Sequence, residues 1–154
     1  MKDAPDTPGE LRARALRLLA RREHSRAELA RKLAPRAESP QALQSLLDAL
    51  EHKQQLSNAR FASERARVLA RKFGAARIRL DLKSKGIDED VIDSVALEGE
   101  AERAAAILAR KYRVPATTPM ERARRMRFLQ SRGFAHDTIR KLLSSEGTDD
   151  ALNP

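Results

Sequence analysis

Two stretches of this chain are dense in arginine and lysine, and what such side chains do best is bind oxyanions. Residues 58–85 hold nine Lys/Arg against two acids and residues 103–141 hold eleven against two, whereas residues 86–102 between them hold seven acids and no Lys or Arg. A guanidinium forks onto phosphate or carboxylate, and a band of them attracts a phosphate backbone or an acidic protein surface. The candidates for such contacts are Arg60, Arg67, Arg71, Lys72 and Arg77 in the first block and Arg124, Arg125 and Arg132 in the second. By helical spacing Arg60, Arg67, Arg71, Arg125 and Arg132 fall opposite the apolar stripes of their helices. Phe128 falls on the Arg125/Arg132 side, where a ring can stack on a base, meet a partner protein or pack against a neighbouring repeat. Phe61 and Phe73 are expected in the core. The competing reading is that the basic residues only solvate helix faces.

Other chemistries find little support. His24, His52 and His136 are far apart and none forms a His-x-x-x-His pair, and His24 reads as a polar residue at a helix end. With zero cysteines the chain has no thiol nucleophile, thiolate metal site or disulfide. The six glycines spell neither a dinucleotide fingerprint nor a phosphate-binding loop. Asp88, Glu89, Asp90 and Asp93 cluster where a helix begins, and there the macrodipole favours them without an ion. No catalytic, cofactor-binding or metal-ligating residue is nominated, and the chain does not read as an enzyme.

The elements that carry these residues are helical. The 154-residue chain is 41% hydrophobic but only 3% aromatic, and Ala, Leu, Arg and Glu dominate, which favours an all-α protein. No apolar run approaches a membrane span, and Met1–Glu10 lacks the apolar core of a signal peptide, so a cytoplasmic protein with no membrane partner is expected.

A phrase recurs three times at one internal spacing: Leu19/Leu29/Leu33, Val68/Ile78/Leu82 and Leu129/Ile139/Leu143, the second and third residues lying ten and fourteen positions after the first. Arg22, Arg71 and Arg132 hold the same place in each copy. Ser25, Gly74 or Gly133 marks a break between two helices. Tandem helical repeats of this kind form an elongated, curved array whose exposed faces bind partners. The expected divisions are a disordered leader over 1–10, three-helix repeats over 11–57 and 58–98, a helical repeat over 99–145, and a flexible acidic tail over 146–154.

Helix ends are marked locally. Ser25 with Glu28 and Thr118 with Glu121 have capping-box spacing, Pro40 follows Ser39, and Pro119 follows Thr118. The second repeat reads as a helix from about Asn58 to Lys72 ended by Gly74, a helix ended by Gly86, and an acidic third helix entered through Ile87, Asp88 and Ile92 as a hydrophobic staple around an Asp N-cap. In the last third, the repeat either has little room for its third helix or counts the helix from about Glu100 to Arg113 as its first.

On several phrases the chain resembles the bacterial RecX regulatory proteins: Arg60-Phe61-Ala62, Gly74-Ala75-Ala76-Arg77-Ile78, Arg127-Phe128-Leu129-Gln130-Ser131-Arg132-Gly133-Phe134 and Ser25-Arg26-Ala27-Glu28-Leu29, together covering roughly residues 11–144. Ala75 departs from the proline common there. The resemblance implies a modulator of the RecA recombinase that binds its filament on single-stranded DNA, usually inhibiting filament growth, ATP hydrolysis and strand exchange. RecA is then the expected partner of a monomeric chain, with single- and double-stranded DNA as further candidates and no cofactor. The nominated basic residues and Phe128 become candidate RecA or DNA contacts. Two rival readings fit the same residues: a non-specific DNA-binding array with no RecA partner, and a helix-turn-helix reader over residues 120–144. The latter's second helix offers only Thr138, Arg140 and Lys141 to base edges.

Overall fold

The computed structural model describes residues 3–146, and among them finds nine α-helices, one short 3-10 turn at Ala34–Arg36 and no strand. In chain order the helices are α1 (Pro8–Arg21), α2 (Arg26–Leu33), α3 (Pro40–His52), α4 (Asn58–Leu69), α5 (Ala75–Ser84), α6 (Glu89–Asp93), α7 (Glu100–Lys111), α8 (Pro119–Ser131) and α9 (His136–Glu146). The protein is all-α and built of tandem three-helix repeats.

Local chemistry sets the helix starts. The Ser25 hydroxyl accepts the Glu28 N–H at 3.1 Å, and Ser39 and Thr118 accept from Ala42 and Glu121 at 3.0 and 3.2 Å. Each supplies an acceptor to a helix N–H that has none inside the helix. The reciprocal half of the box is missing at Ser25, because the Glu28 carboxylate turns to Arg22, at 2.7 Å from Nη2. That pairing lowers the Glu28 pKa to about 2. Glu121 takes the N–H of Thr117 rather than of Thr118. Asp88 stands at the N-cap of α6 without a side-chain cap bond, contrary to expectation, while Ile87 and Ile92 beside it are buried.

The described residues fall into two compact units. One comprises residues 3–65 and 82–95, the other 66–81 and 96–146. In the first, α1, α2 and α3 pack around Leu11, Ala15, Leu29, Leu33, Leu43, Leu47 and Leu50. In the second, α7, α8 and α9 close on Ala104, Ile107, Leu108, Leu129, Phe134, Ile139 and Leu143. Each such leucine or isoleucine contributes on the order of 1.5–3 kcal/mol by leaving water.

Several expectations change. The leader is not free over residues 3–10: Pro8 opens α1, the Thr7 N–H and hydroxyl engage Glu10, and the Asp6 carboxylate lies between Arg14 Nε at 2.8 Å and Arg36 Nη2 at 2.7 Å. Two guanidinium hydrogen bonds hold the Asp6 pKa below its usual value. All of the expected tail except Glu146, which ends α9, lies outside the described residues, as do residues 1 and 2. α4 stops at Leu69, and residues 70–72 turn. His24 is not a surface terminus residue but is 1% exposed, its Nδ1 3.0 Å from the Arg22 carbonyl oxygen and its Nε2 3.0 Å from Lys32 Nζ. Burial lowers its pKa, favouring the neutral ring.

The recurring phrase also divides differently. Its second and third positions are core in every copy: Leu29, Leu33, Ile78, Leu82 and Ile139 are 0% exposed and Leu143 5%. The first position is not, since Val68 is 54% exposed while Leu129 is 0%. The third copy spans α8 and α9, the second and third helices of its repeat, whereas the other copies span the first and second. The helix starting at Glu100 is therefore the first of the third repeat.

Candidate functional site

Most of the nominated residues belong to the second unit, where two cationic faces are built. The first is a chain of rings and cations. Arg77 Cζ lies 4.4 Å from the centroid of Phe73, and Arg132 Cζ lies 5.5 Å from Phe73 and 5.2 Å from Phe128. Lys111 Nζ sits 4.1 Å from the Phe128 centroid and 5.8 Å from that of Tyr112, whose ring meets Phe128 edge to face at 6.1 Å. Rings at these distances attract cations through their negative faces and fix side chains that would otherwise be mobile. The cations still offer N–H donors, so the strip can bind oxyanions without ordering long side chains at the moment of binding.

Backbone contacts set this strip. Gly74 donates its N–H to the Arg132 carbonyl at 2.7 Å, Ala76 donates to the Gly133 carbonyl at 3.2 Å, and Arg77 Nη1 donates to the Ser131 carbonyl at 3.0 Å. The start of α5 is thereby pinned to the end of α8, with Phe73 and Arg77 on one side and Phe128 and Arg132 on the other.

The second face is a cleft of about 440 Å³ lined by Arg67, Arg71, Arg103 and Arg110 together with Ala70, Ala106 and Ile107. Arg110 Nη2 donates to the Arg71 carbonyl at 2.7 Å, and Arg103 Nη1 to the Glu98 carbonyl at 2.6 Å. The remaining Nε and Nη2 of Arg103 are shielded from solvent and have no hydrogen-bond partner.

Of the nominated residues, Arg77, Phe128 and Arg132 meet in the strip, and Arg67 and Arg71 in the cleft. Lys72 and Arg124 are exposed. Arg60, in the first unit, is also exposed, with its Nε 2.9 Å from Glu23.

Arg125 is a correction. It is 5% exposed, with Nη2 on the Val114 carbonyl at 2.6 Å, Nη1 3.6 Å from Glu146 and Cζ 4.5 Å from the Tyr112 ring centroid. It ties α8 to the segment before it and is buried rather than on an exposed face, because Val114 in the break before α8 meets it on that side. Phe73 is half-buried under two arginines rather than core, whereas Phe61 is buried as expected. Lys111, Tyr112, Arg103 and Arg110 were not nominated. Arg103 and Arg110 lie seven residues apart, two turns along one face of α7, and that spacing was the available signal.

These features define a helical-repeat protein with two cationic faces, with no cluster of His, Asp or Glu suited to metal among the described residues and no helix among them long and apolar enough to cross a membrane. Residues 12–50, 57–95 and 98–143 match the first, second and third three-helix domains of RecX. The chain belongs to the RecX family. It is 42% identical to the regulatory protein RecX of Herbaspirillum seropedicae, over 95% of this chain and 97% of that one. It is 45% identical to the regulatory protein RecX of Leptothrix cholodnii over 86% and 87% of the two chains. The fold resembles the crystal structure of RecX from Lactobacillus salivarius with a TM-score of 0.80 at 18% identity, covering 92% of this chain and 97% of that one. The relatives are named as regulatory proteins.

Proposed function

We propose that this protein binds RecA filaments on single-stranded DNA as a monomer and inhibits RecA ATP hydrolysis, filament growth and strand exchange, so regulating recombinational DNA repair. Membership of the RecX family supports RecA as the partner. The observation that carries a binding role is the strip of Arg77, Phe73, Arg132, Phe128 and Lys111, a preordered cationic surface suited to phosphate or acidic protein. Arg60, Arg67, Arg71, Lys72, Arg77, Arg124, Phe128 and Arg132 are its proposed RecA or DNA contacts. A filament repeats its binding surface many times, so several modest contacts add through effective concentration rather than through one deep pocket.

The test is RecA ATP hydrolysis on single-stranded DNA, titrated with this protein well below one copy per RecA, beside its binding to naked DNA. Inhibition at such ratios with weak naked-DNA binding is expected. Failure to inhibit at saturation, with strongly salt-dependent DNA binding, would make it a DNA-binding array without a RecA partner.

A further inference from the structure

We infer that the four-arginine cleft of the second unit is a docking groove for an extended acidic peptide segment of the partner protein. This rests on the reading of the chain as a protein-binding regulator, and it assigns a partner chemistry to the Arg67/Arg71 part of that surface.

The cleft has two pairs of cations. Arg67, on α4, and Arg71, in the turn after it, supply one pair, and Arg103 and Arg110, seven residues apart on α7, supply the other. At about 1.5 Å rise per residue the α7 pair is spaced by about 10 Å. The rest of the lining is small or buried apolar residues, Ala70 and Ala106 among them, and no acid lines the cleft. An extended peptide sends successive side chains to opposite sides and repeats on each side about every 6.8 Å. Carboxylates along such a peptide reach both pairs at once, while its backbone runs beside the alanines.

A nucleic-acid strand fits less well. Its phosphates follow one edge and its bases the other, so one pair of arginines would face bases, and bases call for an aromatic platform. None of the residues lining this cleft is aromatic. The half-buried rings of the second unit, Phe73, Tyr112 and Phe128, lie in the other, ring-and-cation strip, and Phe134 is core.

Arg103 adds an independent observation. Its Nε and Nη2 are out of solvent with no acceptor, although the side chain is held in place through Nη1 on the Glu98 carbonyl. A desolvated guanidinium with unused donors is costly, and an entering carboxylate supplies the missing acceptor in the bidentate geometry that arginine favours.

The test uses the full chain and a fluorescein-labelled peptide of about ten residues, glutamates with a central leucine, roughly the length of extended chain that spans such a groove. Anisotropy should rise on binding, and a matched peptide with glutamine for glutamate should not bind. Arg71→Gln and Arg103→Gln should each weaken the complex about tenfold, and Arg103→Lys, which keeps charge but loses the fork, should weaken it less than Arg103→Gln. Thermal melting by circular dichroism identifies any variant that has unfolded. An oligothymidylate of equal charge should not displace the peptide. Displacement by that oligonucleotide, or unchanged peptide affinity in both glutamine variants, would overturn the groove. Absence of peptide binding by a protein that still inhibits RecA ATP hydrolysis would sink the groove alone, whereas loss of both would remove the regulator reading as well.

Discussion

Gly74 and Gly133 meet backbone to backbone: the N–H of Gly74 bonds the carbonyl of the residue before Gly133, and a Cβ built on Gly74 would run into the Gly133 carbonyl and come within 2.6 Å of the Phe134 nitrogen. A Cβ on Gly133, at φ 86°, would stand 2.5 Å from the Cβ of Arg77. Neither obstacle is the movable end of a side chain. Gly74→Ala and Gly133→Ala are each expected to destabilise the protein by about 2 kcal/mol or more in urea unfolding. Gly9→Ala, which meets nothing within 4 Å and lies in the first turn of α1, should be neutral or gain a few tenths of a kcal/mol.

Arg124 and Arg125 are neighbours with opposite roles. Arg125→Ala should cost about 2 kcal/mol, because the Val114 carbonyl loses its 2.6 Å donor and a buried volume is left empty, while RecA inhibition per folded molecule stays intact. Arg124→Ala, at an exposed position, should leave unfolding within about 0.5 kcal/mol and weaken filament binding. The reverse pattern in denaturant melts and filament pull-down would contradict the placement of α8.

Phe128 positions cations. Replacing it with alanine removes the ring beneath Lys111 and Arg132 and its edge contact with Tyr112, so we expect about 1–3 kcal/mol of lost stability and weaker filament inhibition. Phe128→Leu should recover much of the stability and little of the inhibition. Equal recovery of both would show that the ring serves packing alone.

The Glu28–Arg22 pair predicts a response to acid. Arg22 hydrogen-bonded to the carboxylate depresses the Glu28 pKa to about 2, so its stabilising contribution is complete above the ordinary value of 4.5 and disappears as pH falls through about 2. Arg22 is 50% exposed in its side chain, and solvent screening reduces the contribution to about 1 kcal/mol. Glu28→Gln should therefore lower stability by about that much at neutral pH, and the difference from wild type should shrink between pH 4.5 and 2 in urea melts.

Helix-forming composition and the spacing of Leu29/Leu33, Ile78/Leu82 and Ile139/Leu143 made the all-α repeat legible, because burial of these positions does not depend on which helix of a repeat they occupy. Register within the repeat was less legible: Leu129 and Val68 occupy the same place in the phrase, yet one is core and the other exposed. Helical spacing placed Arg125 opposite the apolar stripe, and this failed because Val114, in the break before α8, meets it on that side; periodicity carries no information about such a segment. Helical spacing puts Phe73 on the apolar stripe of Ala62, Ala66 and Leu69, but α4 stops at Leu69, and what fixes the ring is the pair of arginines that the backbone contact at Gly74 and Gly133 brings over it. Arg67, Arg71, Arg103 and Arg110 are all countable in the sequence, but that the two pairs line one cleft is a matter of packing that spacing does not carry.

Both compact units are discontinuous in the chain, since residues 66–81 belong with residues that follow Ala96 while residues 82–95 belong with the start. Sequence repeat and structural unit are therefore different objects in this protein. During synthesis the first unit has all its residues once Val95 has emerged, but residues 66–81 must wait for α7, α8 and α9 before their partners exist. A truncation or domain exchange drawn at the first repeat boundary divides the first unit and one drawn at the second divides the other, so an experiment that deletes the third repeat also strips residues 66–81 of their neighbours, Arg67, Arg71 and Arg77 included.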